Sequence, residues 1–166
     1  MKLRHKITTL IVMFNRRSEL LLLHRRKKPN RRLWSPIGGK LHSEEGESPY
    51  ECAVREIGEE TGLKVRAKDL HLSGLVAEHG YEGDHHWLMF VFECKKCLTR
   101  LPQRHREGKF EFVPIRKLAK LNIPHTDRQI IWPLFQKYRG GFFSVKIECE
   151  RGRKLKWKLE EFTPRK

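Results

Sequence analysis

Hydrophobic residues along this chain follow a strand-like period in some segments and a helical period in others. Runs rich in β-branched, aromatic and other apolar residues predict strands at Ile7–Phe14, Glu19–Arg25, His71–Glu78, His86–Cys94 and Lys109–Ile115. Only four polar residues separate the first two runs, so we expect those two to form a β-hairpin. The basic, proline-containing segment that follows them predicts a loop.

The clearest helical signals lie between residues 48 and 62. Ser48 is a favourable N-cap, Pro49 suits the first helical position, and Glu51 completes a capping box. Gly62 suits the left-handed conformation that commonly ends a helix. Together these residues predict a helix over Pro49–Thr61.

Weaker helical patterns cover Ile115–Leu121 and Thr126–Tyr138, and a proline within the second predicts a kink. After them, Phe142–Cys149 and Lys154–Phe162 predict a C-terminal β-hairpin around a turn at 150–153. Strands and helices mixed without a regular βαβ alternation indicate an α+β fold.

The predicted central helix has two faces with different chemistry. Three glutamates at i, i+3 and i+4 share one face: Glu56, Glu59 and Glu60. Roughly 125° away, at about 100° per residue, lies an apolar stripe of Tyr50, Val54, Ile57 and Thr61. We expect the stripe to pack on a sheet and the glutamates to face a pocket. A hard divalent cation such as Mg²⁺ would remove the repulsion between the carboxylates through its oxygen ligands.

The charge distribution supports that interpretation. The chain of 166 residues is of single-domain size and carries a formal charge of +16, which favours phosphates, nucleotides or nucleic acid as ligands. Residues 1–34 contain eleven Lys or Arg and one Glu, whereas residues 44–60 contain seven Glu and one Arg. A basic protein with its acids in one short segment fits a cation site, and an ordinary acidic helix surface is the alternative.

Other features of the composition restrict the class of protein. The longest apolar runs, Leu10–Phe14 and Leu20–Leu23, are far shorter than the roughly 20 residues that span a bilayer. The start of the chain has no cleavage site of the kind that follows a signal peptide. The four cysteines form no disulfide framework for a domain of this size, so we expect reduced thiols and a cytoplasmic location.

The stretch from Gly38 to Leu63 closely resembles the Nudix box. Its second half, which begins at Arg55, has the family's order Arg-Glu-apolar-x-Glu-Glu-x-Gly-apolar and follows Glu47 after the expected seven residues. The first half departs from the pattern, because seven residues rather than five separate Gly39 from Glu47. We interpret this as a two-residue insertion within His42–Glu45, since loops absorb insertions better than helices do.

This resemblance covers roughly residues 5–138 and implies a Nudix-like α/β/α sandwich with a mixed β-sheet. The predicted organisation is a Nudix hydrolase domain at 1–138 and a basic β-hairpin extension at 139–166, packed on the same domain. The implied activity is hydrolysis of a diphosphate linkage in a nucleoside triphosphate or a nucleoside diphosphate derivative. Mg²⁺ is the implied cofactor, with Mn²⁺ as an alternative ion.

The resemblance also implies roles for individual residues. The metal ligands would be Glu56, Glu59, Glu60, the carbonyl of Gly39, and Glu47, which we expect to support the metal shell. Arg55 would orient Glu56. The general base is either Glu56, which we favour slightly, or Glu107 from a later loop. The expected substrate contacts are Arg25, Lys40 and Trp87.

Two other functions remain open at this level. One is removal of diphosphate from an RNA 5′ end, which the basic charge would assist, although no RNA-binding motif or stacking platform is evident. The other is a non-catalytic nucleotide- or nucleic-acid-binding regulator on a Nudix scaffold. The three glutamates argue against it, because a regulator without catalytic activity has no need of three paired carboxylates. The sequence does not indicate the particular nucleotide, the number of metal ions or the oligomeric state.

Overall fold

The computed structural model of the protein describes residues 3–83, 85–103, 106–149 and 154–165. The predicted turn at 150–153 lies outside the described residues. The strands are β1 (His5–Val12), β2 (Glu19–Arg25), β3 (Trp34–Ser35), β4 (Leu70–Tyr81), β5 (His85–Cys94), β6 (Gly108–Pro114), β7 (Phe142–Glu148) and β8 (Lys156–Thr163). The α-helices are α1 (Pro49–Thr61) and α2 (Trp132–Lys137). No helix in the described ranges is long and apolar enough to cross a membrane.

A five-stranded mixed sheet forms the centre of the molecule, in the order β1-β5-β4-β7-β8. Strand β1 runs parallel to β5, β4 runs antiparallel to β5, and β7 runs parallel to β4. The C-terminal hairpin is present as the antiparallel pair β7–β8. Its first strand is an interior strand of this sheet with fully buried side chains at Phe143, Val145 and Ile147, and the division of the chain at residue 138 remains a prediction.

The predicted hairpin between the first two strands is wrong beyond its turn. Strand β2 belongs to a second, three-stranded sheet with β3 and β6, and it meets the β1 segment only next to the turn, at the bridge Phe14↔Leu20. The reason is that both edges of β1 are already occupied. One edge pairs with β5, and the other pairs with the segment that contains Ile37 and Lys40.

The core lies on both faces of the central sheet. On one face β1 and β2 pack with α1 through Ile11, Leu21 and Ile57, and on the other face they pack with α2 through Val12, Leu22 and Phe135. Alternate leucines of β2 point into the two cores, which is why four consecutive residues of that strand are buried. The predicted α+β sandwich with a mixed sheet is confirmed.

Helix α1 packs on a different stripe from the predicted one. Its buried residues are Cys52, Ala53, Ile57 and Glu60, whereas Tyr50 is 36% exposed. The buried side is therefore turned by about a quarter of a circle toward the glutamates, at about 100° per residue. The small side chains of Cys52 and Ala53 allow the helix to approach the sheet closely, and this rotation brings Glu60 inside.

The two later helical predictions need smaller corrections. The segment Ile115–Lys120 is a 3₁₀ helix rather than an α-helix, as is common for short pieces. The last helical segment begins at His125 and includes a π-helical turn at Asp127–Ile131 before α2. There the N–H of Trp132 donates to the carbonyl of Asp127. This wide turn accompanies the proline that predicted a kink.

Candidate active site

Helix α1 is held at its start by the predicted capping box. The Ser48 hydroxyl accepts from the Glu51 N–H (3.2 Å), and the Glu51 carboxylate accepts from the Ser48 N–H (2.7 Å). Gly62 ends the helix in the left-handed conformation with φ 73°. Because both ends are defined locally, the carboxylates in the last two turns have a fixed direction relative to the central sheet.

Arg55 is the centre of a hydrogen-bonded network on this helix. Its Nε and Nη2 donate to the two carboxylate oxygens of Glu47 at 2.7 and 3.0 Å, and its Nη1 donates to Glu56 Oε1 at 2.6 Å. The guanidinium also donates to the Lys40 carbonyl (3.2 Å). The hydrogen bond from Arg55 lowers the pKa of Glu47 to about 2. Arg55 thus orients Glu56, and Glu47 is the residue that holds Arg55.

The two-residue insertion in the preceding loop forms a compact turn. Ser43–Glu45 is a short 3₁₀ helix that ends at Gly46 in the left-handed conformation (φ 72°). The loop then returns to α1, and the backbone N–H of His42 donates to Glu47 Oε2 at 2.8 Å. Glu45 contacts only the His42 ring, at 3.7 Å, and stays exposed. The structure therefore pairs Glu47, rather than Glu45, with Arg55.

Two adjacent glycines allow this loop to lie against both β1 and α1. A Cβ atom at Gly38 (φ 147°) would lie 2.0 Å from the Thr9 carbonyl oxygen, and one at Gly39 would lie 2.1 Å from Glu56 Oε1. The Gly39 carbonyl accepts from the Thr9 N–H (2.9 Å), whereas the Gly38 N–H donates to Glu60 Oε1 (3.4 Å). The backbones of both glycines therefore lie beside the α1 carboxylates, Gly39 next to Glu56 and Gly38 next to Glu60, and the Gly39 carbonyl as a metal ligand stays a prediction.

Glu60 has the properties expected of a ligand for a cation. The residue is 8% exposed, and its Oε2 is buried without a hydrogen-bond partner among the described residues. Burial, and next the charge of Glu56, raises the pKa of Glu60 to about 8. A buried carboxylate oxygen that lacks a donor is costly unless a cation or hydrogen bond satisfies it. The donor set of Glu56 and Glu60 therefore fits a hard divalent ion.

The carboxylates are not all converged on one point. Within the described part of the chain, no group of three or more acidic, histidine or cysteine side chains is close enough to form a ready-made metal site. The Glu59 side chain is 59% exposed and lies 3.4 Å from Arg55 Nη1. Both carboxylate oxygens of Glu47 accept hydrogen bonds from Arg55, and its place in the metal shell stays a prediction.

The sequence pattern and this geometry agree with a comparison to known families. The family model for the NUDIX domain matches residues 4–132, which is most of the chain. The protein belongs to the Nudix family. The predicted resemblance is thereby confirmed.

Individual Nudix relatives are more distant. An uncharacterized Nudix hydrolase of Bacillus subtilis, YvcI, is 30% identical over 108 residues, which cover 63% of this chain and 66% of YvcI, just under two thirds of its length. A mutator MutT protein of Bacillus halodurans is 24% identical with a TM-score of 0.72, covering 93% of this chain and 97% of that one. The Nudix domain of Shewanella oneidensis NrtR, solved with ADP-ribose, is 12% identical with a TM-score of 0.61, covering 82% and 88%.

In front of the Nudix helix lies a cleft of about 860 Å³. Its lining includes the expected substrate contacts Arg25, Lys40 and Trp87 as well as Glu56, Glu59, Glu60 and Glu107. Arg25 Nη2 forms an ion pair with Glu107 Oε2 (3.1 Å), because β2 and β6 are neighbours in the three-stranded sheet. The structure thus brings Glu107 into the same cleft as the α1 carboxylates, although the two lie far apart in sequence.

Three residues of the cleft wall were missed or undervalued at the level of sequence. In the sequence Glu78 is the end of a predicted strand, and Thr126 and Asp127 are the first residues of a predicted helical segment. All three are buried and line the cleft. An acid that interrupts an apolar strand is the one signal that could have drawn attention to Glu78.

Proposed function

We propose that this protein hydrolyses a diphosphate linkage in a nucleoside triphosphate or nucleoside diphosphate derivative. The products would be a nucleoside monophosphate and the remaining phosphate group. The observation that carries the proposal is the Arg55 network, which directs Glu56 toward the buried Glu60 at the wall of a cleft with a basic rim. Family membership and a Nudix neighbour solved with ADP-ribose are consistent with a nucleotide ligand.

Under this proposal Glu56 and Glu60 would hold a divalent ion, with Glu59 at the exposed side and the Gly38 backbone next to Glu60. A Mg²⁺ ion held there would supply positive charge that neutralises the diphosphate and favours attack of water on phosphorus. Family membership makes a divalent metal the expected cofactor. Arg55 keeps Glu56 in a single orientation, which matters because second-shell partners of metal ligands commonly change metal affinity or activity by about 10- to 100-fold.

Other residues bind the phosphates and remove the proton of the attacking water. The basic rim of the cleft comprises Arg25, Lys27, Lys28, Lys40 and Arg106, whose positive charges suit phosphate oxygens. We assign proton removal to Glu107, because Glu56 is already engaged by Arg55 and would be a metal ligand. Half-exposed Glu107 lies in the cleft and is restrained by Arg25 and by the hydrogen bond from the Arg26 N–H to its carbonyl (2.7 Å).

The test is a panel of nucleoside triphosphates, ADP-ribose and 5′-triphosphate RNA, scored by release of phosphate or diphosphate with Mg²⁺ and with EDTA. We expect Mg²⁺-dependent turnover of at least one free nucleotide. Glu60→Gln should lower kcat by about 1,000-fold, and Glu107→Gln by about 100-fold, within the usual range for a lost general base.

Glu45→Gln is the matched control, since Glu45 belongs to the same acidic segment but is exposed and outside the Arg55 network. It should keep full activity. Folded protein that is silent across the whole panel, or a Glu60→Gln variant with wild-type activity, would contradict the proposal. If the RNA is the only substrate that is hydrolysed, the substrate of the protein is an RNA 5′ end and not a free nucleotide.

A further inference from the structure

The lining of the cleft contains a carboxylate that the proposed hydrolysis does not use. Glu78, on β4, is only 4% exposed, and its Oε1 is buried without a hydrogen-bond partner among the described residues. A buried polar atom of this kind costs about 1–3 kcal/mol when it stays unpaired. Since Glu78 lines the cleft, a ligand in the cleft can supply the missing partner.

A second buried acid lies close to the first. Asp127, at the start of the last helical segment, lines the same part of the cleft, and the charge of Glu78 raises its pKa after burial itself. Thr126, which precedes Asp127 in the chain, is also buried and lines the cleft. No lysine, arginine or histidine in the described ranges forms an ion pair with either acid. In a protein of charge +16, this is an unusual environment for two acids.

The groups around the acid pair (Glu78 and Asp127) restrict what can bind there. Trp87 is the direct cross-strand neighbour of Glu78 and lines the cleft, so it presents an apolar ring beside the carboxyl group. The Tyr81 hydroxyl donates its proton to Asn30 Oδ1 (2.5 Å) and not to the acids. The pocket therefore offers hydrogen-bond acceptors next to a flat apolar surface, which suits a planar ring with N–H groups on its edge.

We propose that Glu78 and Asp127 recognise the nucleobase of the substrate through a 2-amino-4-oxopyrimidine edge, as found in guanine and in pterins. This inference rests on the proposed function for the position of the phosphates and adds the identity of the base. The phosphates would lie at the basic rim near Arg25, and the base would lie against Trp87 at the opposite end.

The hydrogen-bond inventory favours this edge over the others. Burial raises the pKa of Glu78 to about 7 and the pKa of Asp127 well above its ordinary value. Near neutral pH the pair therefore retains a proton and offers one donor among several acceptors. A 2-amino-4-oxopyrimidine presents two adjacent N–H donors and a carbonyl acceptor, which match that set. The adenine edge presents one donor group and one acceptor and would leave a buried carboxyl oxygen unpaired.

The experiment is isothermal titration calorimetry of the full chain with GMP, IMP and AMP, which share ribose and phosphate but differ at this edge. We expect GMP to bind about 10-fold more tightly than IMP, which lacks the amino group, because a buried acceptor is then left unpaired. AMP should bind more weakly still. Neopterin, with the same edge on another ring, should compete with GMP if the edge alone is recognised, and its failure to compete would restrict the ligand to purines.

Glu78→Gln and Asp127→Asn test the two acids with little change in volume, and each should reduce the preference for GMP over IMP to less than about 3-fold. Glu93→Gln is the control, since Glu93 is also on the central sheet but pairs with Arg139 outside the cleft. It should keep the preference. Thermal unfolding of each variant verifies that the protein is folded.

Equal affinity of the wild type for the three nucleotides would overturn this inference, as would an unchanged preference in both acid-pair variants. Mg²⁺-dependent hydrolysis without a base preference would leave the proposed function standing and remove the acid pair from recognition. A preference for GMP without hydrolysis of any nucleotide would support base recognition by the acid pair and contradict the proposed function.

Discussion

At the paired end of the site, Glu47 and Glu56 accept hydrogen bonds from Arg55 at 2.6 to 3.0 Å, and of these two acids Glu56 lines the cleft. At the other end, Glu78 and Asp127 are buried together, and no cation among the described residues pairs with them. The pKa values diverge accordingly. That of Glu47 falls to about 2 because of Arg55, and that of Glu78 rises to about 7 because of burial.

This contrast shows that carboxyl groups of one site can differ in whether they keep their charge. A carboxylate with a fixed cationic partner keeps its charge and its direction, which suits a ligand for a divalent ion. A buried carboxyl group without such a partner tends to hold a proton, and it can then both donate and accept hydrogen bonds. The presence or absence of a cationic partner therefore determines the role of a carboxyl group more than its residue type does.

The largest expected effect comes from breaking the paired end at Glu56. Glu56→Gln removes the charge that would face a divalent ion and weakens the bond from Arg55, so kcat should fall by about 1,000-fold, which corresponds to roughly 4 kcal/mol. Steady-state kinetics and Mg²⁺ titration measure the effect. A variant within tenfold of the wild type would show that the Arg55 network does not serve catalysis.

At the unpaired end, Glu78 should make stability fall as the pH rises. Its folded pKa of about 7 exceeds the ordinary value of 4.5, so between these values the folded state binds more protons than the unfolded state. The contribution is present below pH 4.5 and lost by about pH 7, at a cost of about 2–3 kcal/mol. Denaturant unfolding of the wild type and Glu78→Gln at pH 5 and 7.5 isolates this contribution. An equal change in the free energy of unfolding of the two proteins between these pH values would show that burial of Glu78 does not raise its pKa.

A conservative change should distinguish geometry from charge at the paired end. Arg55→Lys keeps a positive charge but loses the fork that contacts Glu47 and Glu56 together, so kcat/KM should fall by about tenfold. Arg139→Lys is the matched control, because Arg139 contacts Glu93 away from the cleft. Equal activities of the two variants would mean that charge alone is sufficient at residue 55.

The smallest effect is expected from the cap that supports the paired end. Ser48→Ala removes the hydroxyl that accepts the Glu51 N–H and should lower the free energy of unfolding by about 1 kcal/mol, while kcat changes less than about threefold. Ser43→Ala, in the preceding short helix whose start has no side-chain cap, should be neutral. Equal stability of the two variants would show that the capping box adds nothing measurable.

Features of the site that depend on neighbours in sequence could be predicted. The Ser48 and Glu51 cap, the Gly62 stop and the i, i+3, i+4 spacing of the glutamates act within one or two helical turns, so residue types alone indicate them. The alignment of Glu47 with Arg55 also followed from spacing, because an insertion is easily accommodated in a loop.

Features that depend on contacts between distant segments could not be predicted from the sequence. The rotation of α1 that buries Glu60 follows from small side chains meeting the sheet, and the separation of β1 from β2 follows from what else pairs with β1. Gly38 and Gly39 lie beside the α1 carboxylates because of how that loop lies between β1 and α1.

Amino-acid order alone establishes the capped acidic helix, the Nudix box and the α+β class, because each is a local pattern. Only the folded chain brings Glu107 beside Arg25 and Glu78 beside Asp127. Desolvation and charge coupling depend on which groups surround a side chain in space, and those surroundings come from strands and helices far apart in the sequence.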